Sequence, residues 1–437
     1  MSGDSEQHRA SLALGLAQAL ALDQTDPLRN WRAHFAMPVG KDGSEVVYLS
    51  GHSLGLAPRT ARAHVLAELE DWERLGVRGH EYGRRAWIGY AERLSEPLSL
   101  LAGAHASEVI AMNSLSVNLH LLLASFYRPT TRRHRILIET GAFPSDRHIV
   151  AAQIRWHGFD PATALVELAP RPGEVCLRPE DIDARIASEG EGLALVLWPG
   201  VQYRTGQAFN LAEVARAARR VGAKVGFDLA HAIGNLPLAL HDSNADFAAW
   251  CSYKYLNAGP GAIGGAFVHE RYAHDPQLPR LAGWWGSAPA TRFAMSGEFE
   301  LTPGAAGWQV GNPPIFSCAP LIASLAIFVA ADLIALRNKS IALTALLAEA
   351  LHNLCGNAIE ILTPAATNQR GCQLSVRVCG ANESARRSFA ALEPMGVIAD
   401  WREPDTIRLA PVPLYNTFCD AWRAAETLAH CLKSSGV

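Results

Sequence analysis

The sequence predicts an α/β fold in which a mainly parallel sheet forms a large domain and a smaller α+β domain follows. Two observations predict it, and a third is compatible with it. Short apolar stretches at 109–112, 136–139, 164–168, 193–198, 224–228 and 247–251 alternate with helical patterns at 114–126, 145–157, 179–188 and 210–221. Strands separated by helices pair in parallel and are covered on both faces. After Pro313-Pro314 the character changes to long apolar helical runs followed by short strands. The chain has 437 residues, 49% of them hydrophobic, enough for two cores.

The elements follow in order. Residues 8–22 and 27–35 carry helical spacing and form an N-terminal arm. A short strand at 46–50 enters the turn GHSLGL, and helical spacing runs over 58–74 with Pro58 and Thr60 near its start. The alternating segment comes next. Beyond it, helices are expected at 319–336 and 339–355, strands at 359–362, 372–378 and 406–409, and a last helix near 415–433. The expected division is an arm over 1–57 packing with the small domain, a large domain over 58–315 and a small C-terminal domain over 316–437.

Composition narrows the function. The net charge of -3 comes from scattered charges, so no nucleic acid or membrane surface is expected as a partner. The start, MSGDSEQHRA, lacks the basic character of a signal peptide. The longest apolar run, 321–331, is too short to span a bilayer. Eight cysteines contain no CxxC pair and read as reduced thiols, and the sixteen histidines show no ligand spacing, so no metal is expected. A soluble cytoplasmic protein acting on a small molecule is expected.

The chemistry gathers at strand ends. Asp228, in VGFDLAHAIG, stands where an apolar strand runs out. Lys254, in AWCSYKYLNAGPGAIGGAF, ends the next one. Open α/β sheets bind ligands at the carboxyl ends of their strands, so a carboxylate and an amine on neighbouring strands share a crevice. That pair suits pyridoxal phosphate (PLP), whose aldehyde takes a lysine as a Schiff base and whose ring nitrogen needs an acid to stay protonated. A surface lysine is the ordinary alternative; the apolar strand, Tyr253 and the glycine-rich turn around Lys254 weigh against it. Asn113, Ser114, Leu115 and Ser116 open an apolar helix whose first N–H groups favour an anion, although a plain N-cap serves equally well. In GAFPSDRH, Phe143 offers a ring for stacking and Ser145 and Asp146 offer hydrogen bonds; a core plug is the commoner use of such a Phe. His231, three residues past Asp228, either contacts the ring or is a satisfied half-buried histidine.

The stretches YLSGHSLGL, MNSLSVNLHLLLASF, AFPSDRH, GVQYRTGQAFN, VGFDLAHAIGN, DFAAWCSYKYLNAGPGAIGGAFVHE, GWWG, GNPPI, RGCQLS and IRLAPVPLYNTF, in this order from about 48 to 418, resemble the kynureninase family. The resemblance implies PLP fold type I, with a mainly parallel seven-stranded sheet in the large domain. It implies Lys254 as the Schiff-base lysine, Asp228 as partner of the ring nitrogen, and Leu115, Ser116, Phe143, Pro144, Ser145, Asp146, His231 and Tyr253 as cofactor contacts. Trp284 and Asn312 match residues that reach the phosphate from the second subunit of a homodimer. Arg408 matches the arginine that takes the substrate α-carboxylate, a task suited to a planar guanidinium. Ser53, His80 and Asn312 match positions around the substrate. The implied reaction is hydrolysis of the Cβ–Cγ bond of L-kynurenine or 3-hydroxy-L-kynurenine to L-alanine and anthranilate or 3-hydroxyanthranilate, in tryptophan catabolism or NAD precursor synthesis. Lys254 removes the Cα proton and Tyr253 is the candidate late proton donor.

Three positions depart from the family pattern: His52 in GHSLGL, Pro199 where relatives often carry a serine, and Gly311 before Asn312. Gly311 favours a wider aryl pocket, whereas His80 and Asn312 match forms that prefer the 3-hydroxylated substrate, towards which the reading leans. The competing readings are another fold type I enzyme, a class V aminotransferase or a cysteine desulfurase, and a non-catalytic binding relative. Cys318 and Cys372 sit in apolar segments unlike a mobile nucleophile, and the joint presence of Lys254, Asp228 and Arg408 argues for catalysis.

Overall fold

The structure is a computed structural model that describes residues 15–295 and 297–436. Of the helix expected over 8–22, residues 8–14 lie outside the described residues; 15–25 are helical. The chain forms two compact units. One comprises Thr60–Tyr203 and Ala208–Ala330; the other takes the chain before Thr60, Arg204–Gln207 and the chain from Ala331 onward. Strands are numbered β1 to β13 along the chain.

The first unit holds a seven-stranded sheet in the order β2-β8-β7-β6-β5-β3-β4. Its strands are β2 (Val109–Ala111), β3 (Arg135–Glu139), β4 (Leu165–Leu168), β5 (Leu193–Pro199), β6 (Lys224–Asp228), β7 (Phe247–Trp250) and β8 (Gly265–Val268). All pairs are parallel except those made by β8, which runs antiparallel to β2 and β7. The apolar runs that mark these strands in the sequence are buried on both faces. The helices Leu115–Phe126 and Pro144–Trp156 pack against the sheet through Leu119, Leu122, Ile149 and Ile154, which share a core with Ile136, Leu195 and Phe247. Pro144 sits in the first turn of its helix, where a missing N–H costs nothing. The register sets Pro199 beside Asp228 and Asp228 beside Ala249. The carboxyl ends of β5, β6 and β7 therefore stop at one level, and the residues that follow share a crevice.

In the second unit, β12 (Asp400–Arg402), β13 (Thr406–Leu409), β10 (Leu374–Val378) and β9 (Ile359–Ile361) form an antiparallel sheet in that order, and β1 (Val47–Tyr48) pairs in parallel with β11 (Val397–Ile398). Its core gathers Leu343, Leu347 and Leu351 of one helix, Leu374, Val376 and Ile407 of the sheet, and Ala425 and Leu428 of the last helix.

Two local expectations are corrected. Residues 27–35 form a 3₁₀ helix, Arg29–His34, because Asp26 turns the chain tightly, its Oδ1 accepting from Leu28 N at 2.8 Å. The long C-terminal helices run Ile315–Ala330 and Leu333–Cys355 rather than breaking near 337. Asp332 makes the break by capping the second helix, its Oδ1 accepting from Ile334 N at 2.9 Å and Ala335 N at 3.2 Å. Three elements went unexpected: strands β11 and β12 are too short for alternation to show, and the helix Asn382–Leu392 is too polar to read as a packing helix. Among the described residues no single helix is long and apolar enough to cross a membrane.

Candidate active site

A pocket opens at the carboxyl ends of β3, β5, β6 and β7, bounded on one side by the start of the helix Leu115–Phe126. Each wall comes from a feature visible in the chain. The strands contribute Glu139, Pro199, Asp228 and, just past β7, Cys251, Tyr253 and Lys254. The helix Leu115–Phe126 contributes Leu115 and Ser116, and the start of Pro144–Trp156 contributes Ser145 and Asp146, with Phe143 at its N-cap.

The glycine-rich turn after Lys254 makes the close approach possible. A Cβ on Gly264 would meet Trp250 O at 2.9 Å and Leu115 N at 3.2 Å, so only glycine lets this turn lie on the helix start. Asn113 adopts φ 43°, and its carbonyl accepts from Gly264 N at 2.6 Å, which locks the loop to the turn. Ser114 occupies the N-cap without a side-chain cap bond. Ser116 Oγ and Ser145 Oγ meet at 2.9 Å, so two helix starts present hydroxyls and first-turn N–H groups to the same end of the pocket.

Lys254 Nζ lies 3.1 Å from His231 Nε2, and its ammonium stands 5.7 Å from the Phe143 ring centroid and 5.9 Å from that of Tyr253. Phe143 is 40% exposed and meets Tyr203 edge-on at 5.3 Å, so it is a ring facing open space rather than a core plug. Asp228 is buried, and its Oδ1 accepts from Ala230 N at 2.7 Å. Three acids converge here. Burial pushes the Glu139 carboxyl up to about 8, against a hydrogen bond from Gln202 and with help from the Asp228 charge. Burial, then the adjacent Asp228 charge, holds the Asp146 carboxyl well above the usual carboxylate range. The Asp146 Oδ1 is buried with no hydrogen-bond partner within the protein.

These residues fit pyridoxal phosphate. Asp228 and Lys254 share the pocket wall, where an acid can pair with the ring nitrogen and an amine with the aldehyde, and the buried Asp146 Oδ1 has no hydrogen-bond partner within the protein. The anion end is supplied by the two helix starts.

Of the residues singled out in the sequence, Leu115, Ser116, Phe143, Ser145 and Asp146 line this pocket, as do Asp228, His231, Tyr253 and Lys254. Pro144, His80, Trp284 and Asn312 belong to the same unit but not to the wall. His80 packs edge-on to Trp87 at 5.4 Å. Trp284 is 47% exposed, its Nε1 donating to Arg292 O, and Asn312 is exposed. Ser53 and Arg408 lie in the other unit. Ser53 N donates to Ser50 O at 2.9 Å. Arg408 is buried and donates through Nε at 2.8 Å and Nη2 at 2.6 Å to Asp400 Oδ1.

The three departures also find places. Pro199 lines the pocket, and Gly200 N makes the adjacent bond to Asp228 O at 2.7 Å. His52 is fully buried. A Cβ on Gly311 would meet nothing within 4 Å. Sequence reasoning missed Glu139, Tyr203 and Cys251. Glu139 was findable by the argument that found Asp228, since it too is an acid ending a buried strand.

The fold recurs in solved structures. A cysteine desulfurase from Escherichia coli matches with a TM-score of 0.73 at 17% identity, covering 93% of this chain and 98% of its own. A C-DES mutant with glycine covalently linked to its PLP cofactor matches with a TM-score of 0.73 at 18% identity, over 92% of this chain and 98% of its own. Fold and pocket together define a pyridoxal-phosphate enzyme of fold type I. Sequence comparison is sharper. A kynureninase of Xanthomonas campestris is 54% identical over 413 residues, 94% of this chain and 97% of its own. One from Stenotrophomonas maltophilia is 53% identical over the same shares. The kynureninase C-terminal domain matches residues 336–428. The chain belongs to the kynureninase family.

Proposed function

We propose that this enzyme hydrolyses the Cβ–Cγ bond of L-kynurenine or 3-hydroxy-L-kynurenine, releasing L-alanine and anthranilate or 3-hydroxyanthranilate. The observation that carries the reading is Lys254 Nζ at the pocket wall, 3.1 Å from His231, in a wall it shares with Asp228. When bound, pyridoxal phosphate supplies the electron sink that lets a bond at the substrate's α carbon release its electrons.

The chain's own residues do the rest. Lys254 anchors the cofactor covalently and, as a free amine, takes the proton from the substrate Cα. Asp228 keeps the ring nitrogen protonated. Phe143 offers its face to the ring, and Ser116 and Ser145 with the two helix starts hold the phosphate. Burial, with Cys251 beside it, raises the Tyr253 phenol, which keeps it protonated and suits it to return a proton late in the reaction. Arg408 takes the substrate α-carboxylate, its guanidinium fixed by Asp400. Ser53, His80 and Asn312 serve the aryl end, and the open space at Gly311 leaves room for a substituent there.

A desulfurase needs a mobile thiolate. Burial pushes the Cys318 thiol up to about 12 and raises that of Cys251, so neither suits that role. Trp284 and Asn312 serve a second subunit in a homodimer, a role supported by the exposure of Trp284, Phe293 and Phe299 on one segment. Eight cysteines with no CxxC pair suit a reducing cytoplasm.

The deciding experiment supplies PLP and L-kynurenine to the purified protein without any keto acid. Anthranilate fluorescence and stoichiometric alanine are expected; no product, or product only with an added keto acid, would refute the reading. The ratio of kcat/KM for the two kynurenines then fixes the preference, expected to favour the hydroxylated one. A sedimentation mass of one chain would refute the dimer.

A further inference from the structure

At the other end of the seven-stranded sheet, four side chains from separate segments converge. His105 and Glu108 precede β2, His241 lies in the short helix Leu240–Ser243 before β7, and Glu270 follows β8. The register pairs Val109 with Phe267 and Phe247 with Val268, which sets these segments at the amino end of β7, away from Lys254 at its carboxyl end.

We infer that His105, Glu108, His241 and Glu270 form a site for a divalent transition metal ion, with zinc as the fitting probe. One donor atom from each lies within 4.8 Å of all the others. Tetrahedral zinc with bonds of about 2.0–2.2 Å needs donors about 3.3 Å apart, and the closest pairs already match. His105 Nδ1 is 3.0 Å from Glu270 Oε2, and His241 Nδ1 is 3.1 Å from both Glu108 oxygens. Two neutral imidazoles and two carboxylates are an ordinary donor set for such an ion.

Three features make the cluster a built arrangement. Glu108 is fully buried and aimed by two backbone donors, His105 N at 2.9 Å and Glu270 N at 2.8 Å, the kind of outer support that orients a metal ligand. His241 N donates to Gly103 O, and a Cβ on Gly103 would run into Leu238 O, so the segments carrying His105 and His241 are pressed together. The imidazoles of His105 and His241 stack at 4.1 Å, 27° from parallel. Balancing the two carboxylates by protonating both imidazoles would place two cationic rings face to face, whereas one divalent ion balances both and leaves the rings neutral. The ion would tie the loop before β2 to the segments flanking β7 and β8. The histidine spacing in the sequence led to no expectation of a metal because the ligands are up to 165 residues apart (His105 to Glu270).

The test is calorimetric titration of the chelator-treated holoenzyme with Zn²⁺, with the His105→Ala/His241→Ala double variant and Glu270→Gln as controls. His105 and Glu270 are exposed and His241 is 27% exposed, and circular dichroism of each control checks that it folds. One ion per chain is expected, bound at least about 10-fold more weakly in each control. Zinc should raise the wild-type Tm and not that of the double variant, with turnover of the double variant unchanged. Equal binding by the double variant would overturn the site. So would Co²⁺ spectra carrying a thiolate charge-transfer band, since the ion would then sit on cysteine.

Discussion

The two ends of the seven-stranded sheet each bury glutamate, with opposite results. At the carboxyl end, burial pushes Glu139 up to about 8 and holds Asp146 well above the usual range. At the amino end, Glu108 is also shielded from solvent, and burial alone would raise it too. Backbone N–H groups of His105 and Glu270 and the His241 ring instead hold its carboxyl below the ordinary value. At Glu108 the donors outweigh burial, and at Glu139 burial outweighs the one donor. The amino end brings its own donors and holds an ionised carboxylate. At the carboxyl end burial prevails: Glu139 and Asp146 are held towards the protonated form, and the Asp146 Oδ1 is left without a partner.

The comparison breaks most visibly at Lys254. Lys254→Ala should lower turnover by at least about 10⁴-fold, the upper end of general acid–base effects, and abolish the visible absorption of the lysine-bound cofactor. Substantial turnover measured for the purified variant would remove the amine from the reaction. Asp228→Asn keeps the shape and removes the charge facing the ring nitrogen. An effect of about 10²–10³-fold on kcat is expected, as for loss of a preorganised electrostatic partner, and kinetics within a factor of two of wild type would contradict its role.

The two glutamates sharpen the contrast. Glu108→Gln replaces an ionised acceptor of three donors and should cost about 1–3 kcal/mol at neutral pH, read from urea unfolding. Glu139→Gln replaces a carboxyl already protonated there and should change stability by less than about 1 kcal/mol. Its signature is pH dependence. In the cofactor-free protein Glu139 holds its proton up to about pH 8, whereas the unfolded chain releases it near the ordinary glutamate value of 4.5. Its contribution is full below that lower value and is lost as pH rises towards 8, at up to about 1.4 kcal/mol per pH unit. Unfolding followed from pH 5 to 8 should show a shallower decline for Glu139→Gln; an unchanged slope would place its titration elsewhere.

Much of the carboxyl-end site was legible in the chain because its parts are local. A strand end carries its acid or lysine in a few residues, and a serine or phenylalanine opens the next helix within the same stretch. Glu139 went unread although it ends an apolar strand in RILIETGAF just as Asp228 ends one in VGFDLAHAIG. Trp284, Asn312 and His80 were carried by resemblance alone and stand outside the pocket wall. The helix break at Asp332 was legible in principle, since a capping aspartate before an apolar run marks a start, but the unbroken apolar spacing on both sides concealed it.

The sequence by itself determined the alternation of strands and helices, the lysine and aspartate at neighbouring strand ends, and the glycine that lets the turn at Gly264 lie on a helix start. Those depend on contacts within a strand, a turn or a single βα unit. Tertiary structure alone decided which buried carboxyls keep their protons and which histidines meet. Both depend on donors delivered by segments distant along the chain, and spacing within one segment carries no record of them.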